Sequence, residues 1–226
     1  CYVSRAWHSS NVNKYESSDI HTYLNNTFLK LLDSNIQDAI KQVKIPYRQN
    51  GGSGGTDRNG ANGLSTKIFL LSGYEVGFTT SDNSYFPVDG AKLSYFESGT
   101  GSSALNKRIA YLNGSATFWW LRSPYTYITN YVWLVYSNGG YGSNGASNSY
   151  GVRPALVLPS TLLVSDDGTV STNTPPTITS TSGASGVNLG SKTAAFNFQY
   201  TVADADGDKL TVTEKLDGTT MKTRTN

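Results

Sequence analysis

The sequence predicts an α+β domain followed by the beginning of a second, all-β unit. Three observations carry that expectation. Residues 16–43 repeat apolar side chains at three- and four-residue steps, the helical period. Residues 118–159 hold three apolar runs of strand length, the first and third ended by Pro124 and Pro159. Beyond the Thr-Pro-Pro at 174–176, apolar and polar residues alternate, the pattern of strands buried on one face.

Taken in order, Ile20, Tyr23, Leu24, Phe28, Leu31 and Leu32 make the face of a first helix, capped by Ser17 or Ser18. Ser34 caps a second helix with the face Ile36, Ile40 and Val43, and Pro46 stops it. RQNGGSGGTDRNGANG (48–63) reads as a surface loop, and KIFLLS (67–72) as a short buried strand. Residues 73–117 are mixed, with a short helix in SSALNKRIAYLNG ended by Gly114. FWWLRSP, NYVWLVYS and YGVRPALVLP are three strands. PTITSTS, AAFNFQYTVAD and DKLTVTEKL are three more, where a full immunoglobulin-like sandwich needs around seven. The expected division is 1–172 and 173–226, the second unit truncated and the first lacking N-terminal strands. Both ends read as cuts through a longer chain.

Composition narrows the function classes. A hydrophobic fraction of 37% with 12% aromatics supports a real core. The net charge of +2 is scattered, with no basic face to track a nucleic-acid backbone, so no nucleic-acid partner is expected. Cys1 is the single cysteine, so no internal disulfide frames the fold. No apolar run approaches the ~18 residues of a membrane span.

The most unusual stretch is 125–150. Its 26 residues contain no Asp, Glu, Lys or Arg, and 18 of them are Tyr, Asn, Ser or Gly. Tyrosine is a rigid amphipathic contact residue, and Ser, Gly and Asn add adaptable hydrogen bonds, as in antibody loops. Candidate ligand-binding residues are Tyr125, Tyr127, Ile128, Asn130, Tyr131, Leu134, Tyr136, Tyr141, Ser143, Asn144, Ser147, Asn148 and Tyr150. The residues alone leave a second reading open, a Gly/Ser/Asn-rich loop with packed tyrosines and no ligand. Trp119, Trp120, Leu121 and Trp133 read as scaffold, and Arg122 and Arg153 as side chains that hold loops through carbonyls.

The succession SSDIHTYLNNTFLKLL, KIFLLSGYEVG, FWWLRSP and YGVRPAL resembles a domain family with a C-type lectin-like fold, common in gut bacteria and their phages and without assigned enzymatic activity. The resemblance covers Cys1 to Val164. Some members resemble variable proteins of diversity-generating retroelements, in which adenines of a template are randomised and written back into the gene. Scrambled AAC-type codons yield Asn, Tyr, Ser and Gly but never Lys, Glu, Gln or Trp. The tract fits, with Trp133 as a fixed scaffold position. The segment from Thr174 onward resembles immunoglobulin-like repeats of bacterial surface and phage structural proteins. The resemblance implies a receptor-recognition protein of a phage tail or virion, or alternatively a bacterial surface adhesin, or a structural virion module without ligand. Its implied partners are a bacterial cell-surface protein or glycan, and other virion or surface proteins through the immunoglobulin-like part. A homo-oligomer is compatible with this setting.

Other signals are weaker. Asp204, Asp206 and Asp208 offer oxygen ligands for Ca²⁺, against the alternative of a Gly-containing turn that solvates its carboxylates. GGSGG (51–55) lacks the ending of a phosphate loop, and no GxSxG elbow occurs. His8 and His21 have no Cys or His cluster around them. The Glu-Pro-Asn and Trp-Asn-Asp sugar motifs of calcium-dependent lectins are missing, as are the paired cysteines of formylglycine-generating enzymes. The expectation is a binding protein with neither catalytic residues nor a cofactor.

Overall fold

A computed structural model of the chain describes residues 1–164, 170–182, 199–216 and 218–225. They separate into two compact units, Cys1–Pro159 and Ser160–Asn226, so the expected division at 172/173 falls inside the second unit.

The first unit opens with β1 (Val3–Ala6). Helix α1 (Asp19–Tyr23) starts at Ser18, whose hydroxyl accepts the His21 N–H at 3.1 Å. The predicted long helix does not continue as one. It widens into a π turn over Leu24–Phe28 and tightens into a 3-10 turn over Leu29–Leu31. The cause lies at Asn25, whose amide bonds a neighbouring strand corner as well as the helix's own His21 carbonyl. Its Nδ2 donates to Ile68 O at 2.9 Å, and its Oδ1 accepts from the backbone N–H groups of Lys67 and Ile68. A side chain committed to a neighbouring strand corner competes with regular helix. Helix α2 (Ser34–Ala39) is capped by Asp33 instead of Ser34, and ends before Ile40.

Val43 therefore lies in a strand, β2 (Val43–Ile45), followed by β3 (Tyr47–Arg48), β4 (Asp57–Arg58), β5 (Leu64–Thr66) and β6 (Ile68–Leu70). Helix α3 (Ser102–Arg108) precedes a hairpin of β7 (Ala110–Leu112) and β8 (Ser115–Thr117). Asn113 and Gly114, at φ 50° and 80°, make the hairpin turn, so Gly114 does not end the helix. Then come β9 (Trp119–Pro124), β10 (Tyr131–Val135), β11 (Tyr141–Gly145), β12 (Ser149–Val152) and β13 (Pro154–Leu156).

The main sheet has five strands in the order β1-β12-β9-β10-β11. All six residues of β9 are buried, and Val132 to Val135 of β10 are buried on both faces. Such a strand reads as a continuous apolar run, which is why WWL and VWLV show no alternation. Trp7, Trp119, Trp120, Trp133, Ile68, Leu70, Phe78 and Phe86 belong to one core cluster.

In the second unit, β14 (Leu162–Val164) pairs with β15 (Val170–Thr172), β16 (Thr177–Ser182) with β17 (Gln199–Ala203), and β18 (Thr211–Leu216) with β19 (Thr219–Thr225). Residues 194–198 of the expected strand at 194–204 lie outside the described residues. Among the described residues these are separate two-stranded pairs.

The expected fold class, α+β with a C-type lectin-like first part and an immunoglobulin-like sandwich start, is corrected. Helix makes up only about 16%, and the regular structure is mostly strands in several small sheets, a largely all-β architecture. Apolar spacing at three and four residues was compatible with short, broken turns as well as with long helices.

Candidate functional site

The 125–150 tract supplies the β9–β10 loop, β10, β11 and the turn into β12. Its backbone is fastened from outside the tract. Asn13 is fully buried and donates from Nδ2 to the carbonyls of Ile128 and Tyr131, both at 2.8 Å. Its Oδ1 accepts the Gly51 N–H at 2.9 Å, and its own N–H donates to Thr129 O at 2.9 Å. Gly52 N–H reaches Thr126 O at 2.9 Å. A Cβ on Gly51 would collide with the carbonyl oxygens of Tyr125 and Ile128, so only glycine allows this approach. Gly51 is thus a buried clamp, where the sequence of 48–63 had read as a surface loop. At the other end, Ala146 N–H donates to Asn130 O at 2.8 Å, Trp7 and His8 N–H groups donate to Ala146 O, and Ser147 N–H donates to Asn11 Oδ1.

The side chains divide by strand alternation into two groups on opposite faces of the β10–β11 pair. Tyr131 pairs with Gly145, Trp133 with Ser143, and Val135 with Tyr141, so these share one face. Here Trp133 stacks on Phe86 at 3.9 Å, Tyr125 lies 5.0 Å from Trp133, and Tyr85 lies 5.0 Å from Tyr125 and 5.3 Å from Tyr127. Tyr85 O accepts from Trp133 Nε1, Thr126 N–H and Thr126 Oγ1. Tyr127 is 66% exposed and Tyr131 38%. Tyr141 is half-buried, with its hydroxyl donating to Asp82 O at 2.7 Å and its ring edge-on to Phe78 and Phe86, so it belongs as much to packing as to surface.

The opposite face carries Asn144, paired with Val132, and Gly142, paired with Leu134. The Tyr136 ring lies across Gly142 and packs 4.9 Å from Phe118, which lies 5.8 Å from Tyr150. Asn144 Nδ2 donates to the Tyr150 hydroxyl at 2.6 Å, and its Oδ1 accepts from Asn148 Nδ2 and Gly145 N–H. Ser147 and Asn148 are exposed, and Ile128 and Asn130 half-buried. Leu134 is 1% exposed and is removed from the surface: it is core, because β10 is covered on both sides.

Beneath the tract lies a buried ionic network. Arg122 makes a bidentate pair with Glu75, both contacts at 2.6 Å, and donates to the carbonyls of Pro46, Leu70 and Asp89. Burial opposes its charge, but Glu75 and Asp89 outweigh burial and hold it above its usual value. Asp89 Oδ2 accepts from Ser123 Oγ at 2.7 Å, while its Oδ1 is buried without a partner among the described residues. Burial pushes the Asp89 carboxyl up to about 7, against the pull of Arg122. Arg153 stacks over Trp119 at 4.9 Å and leaves Nη1 without a hydrogen bond among the described residues, where Arg122 is the one of the two arginines seen to hold carbonyls.

A family model described as a domain of unknown function (DUF6273) matches residues 2–160. The chain belongs to that family. No curated protein and no solved structure matches it. The matched span contains the whole tract and every clamp described above.

Sequence reasoning missed Tyr85 and Phe118, the partners that extend the two aromatic groups beyond the tract. Phe118 opens the quoted FWWLRSP run, but Tyr85 stands in the loop SDNSYFP, where no local period marks it. In the second unit, Asp204 Oδ1 accepts from the N–H groups of Asp206 and Asp208, and Asp206 Oδ2 accepts from Thr174 N–H. The carboxylates organise their own turn, and no group of three metal-ligating side chains occurs among the described residues. None of the helices among those residues is long and apolar enough to cross a membrane.

Proposed function

We propose that the DUF6273 domain is a ligand-binding module whose changeable contact surface is drawn from residues 125–150. One observation carries this reading: the tract's backbone is held by residues outside it, while several of its side chains point into solvent. Asn13, Gly51 and Gly52 grip the β9–β10 loop through main-chain atoms, which every residue type presents alike. Tyr127 and Tyr131 can therefore change without loss of the contacts that fix their positions, as can Ser147, held by its N–H on Asn11 Oδ1; Tyr136 and Asn148 are exposed as well, resting on Gly142 and on Asn144.

The absence of ionisable side chains from the tract favours recognition by aromatic contact and neutral hydrogen bonds. The Tyr/Asn/Ser/Gly composition is what adenine-directed randomisation by a retroelement would leave. The setting that fits is a phage tail or virion attachment protein, with a bacterial surface adhesin as the nearest variant, and the ligand a component of a bacterial surface. On this reading the domain binds and does not catalyse.

Deep amplicon sequencing of the gene from a growing population of its source tests the proposal. Substitutions concentrated at 127, 131, 136, 147 and 148, with Asn13, Gly51, Trp133 and Leu134 constant, are the expected result. Variation spread evenly along the chain would leave a structural module in its place.

A further inference from the structure

We propose that β11 docks an extended segment of a protein partner by adding it as a sixth strand to the main sheet. This names the partner class for the binding role proposed above and rests on it. β11 is the last strand of the sheet order, so among the described residues only its β10 side is paired. The register fixes which of its main-chain groups are spent. Tyr136 N–H donates to Gly140 O and Ala146 N–H to Asn130 O, one bond at each end of the ladder. Hydrogen-bonded pairs alternate along an antiparallel ladder, so the bonded pairs between them are Leu134 with Gly142 and Val132 with Asn144. The N–H and C=O groups of Tyr141 and Ser143 then point away from β10. Among the described residues they make no bond elsewhere in the chain. Gly145 differs: its N–H is taken by Asn144 Oδ1 and its carbonyl by Asn148, which closes the edge at that end.

The open edge presents donor and acceptor at Tyr141 and again at Ser143, about 6.8 Å further along a strand. A polypeptide backbone repeats its own donors and acceptors at that spacing; a glycan does not, which selects a protein over a sugar. β11 also lacks the usual defences of an edge. Its sequence, YGSNG, has no lysine, no proline and no inward charge. Side chains of the tract flank the edge on both faces, Tyr141 and Ser143 on one and Asn144 and Tyr136 on the other. Main-chain pairing supplies affinity there, and these flanking side chains choose the sequence.

The test is selection of a displayed random heptapeptide library against the intact chain, followed by amide exchange with the enriched peptide. Tyr141 and Ser143 amides exchange fast in the unbound protein and become protected on binding, whereas Gly142 and Asn144 amides are protected throughout. Ser143→Pro removes an outward donor at an edge position that tolerates proline. It weakens the enriched peptide roughly tenfold more than Ser143→Ala does, the effect of losing main-chain pairing. Absence of enrichment overturns the proposal, as does protection that maps elsewhere or a proline variant equal to the alanine one. Protection of the same amides without peptide, in a dimer, also overturns it in favour of a second copy. Binding that maps elsewhere on the tract leaves the recognition role intact, whereas flat codon variation removes that role whatever the peptides do.

Discussion

Asp89 is the side chain whose protonation the fold controls most visibly. It is 1% exposed, shares the Arg122 guanidinium's neighbourhood with Glu75, and leaves Oδ1 without a partner among the described residues. Its folded value of about 7 stands above the ordinary 3.8 that the unfolded chain shows. Between those values the folded state holds a proton that the unfolded state has released. The contribution to stability is therefore complete below about 3.8 and is lost as pH rises through about 7, with a slope of up to ~1.4 kcal/mol per pH unit. Urea midpoints taken from pH 5 to 8 are expected to fall, and Asp89→Asn is expected to flatten that fall. A wild-type midpoint that rises over this window would refute the assignment. None of this was legible from DGAK, because a carboxylate in a Gly-containing loop reads as solvated. The arginine side was legible: Arg122 between WWL and SP sits where only a paired or carbonyl-bound charge can be buried.

At the scale of the elements, the β10–β11 hairpin shows how sequence pattern and packing divide the work. That LRSP and VWLV are strands could be read from the apolar runs, but which tyrosines leave the surface could not. That depends on glycines across the strand. Tyr136 is 37% exposed because its ring folds over Gly142, where a Cβ would meet the ring. Gly142 has no positive φ, so its backbone accepts alanine. Gly142→Ala is then expected to cost about 1–3 kcal/mol through displacement of the ring. In a Tyr136→Ala background the same change should cost close to nothing, or gain a few tenths from strand propensity. Chemical denaturation of the four-member cycle measures the coupling. Additive costs would mean the ring does not rest on Gly142, and position 136 would then vary independently of 142. The first helix failed the sequence reading for a related reason. Asn25 looks like an ordinary helix-surface residue, yet its amide satisfies the Thr66–Ile68 corner and turns the helix into a π turn.

Across the whole molecule, local periodicity could not decide the class, since short turns and a helix share apolar steps and only the sheet pairings reveal a largely β fold. What the molecule does make explicit is where its stability resides. Among the described residues, every member of the core cluster, and every partly buried side chain packed on it, lies between Cys1 and Leu158. The clamps on the tract, from Asn13 to Ala146, lie in the same span. The second unit's described strands form two-stranded pairs, and such pairs are marginal alone in water. Residues 1–159 are therefore expected to unfold cooperatively, with a midpoint within about 3 °C of the full chain's main transition, a difference near 1 kcal/mol for a domain of this size. Differential scanning calorimetry of both chains checks this. A fragment that melts more than about 10 °C lower, or without a cooperative transition, would mean that the binding platform draws stability from residues beyond Pro159. The tract's clamps would then need both units to stay in place.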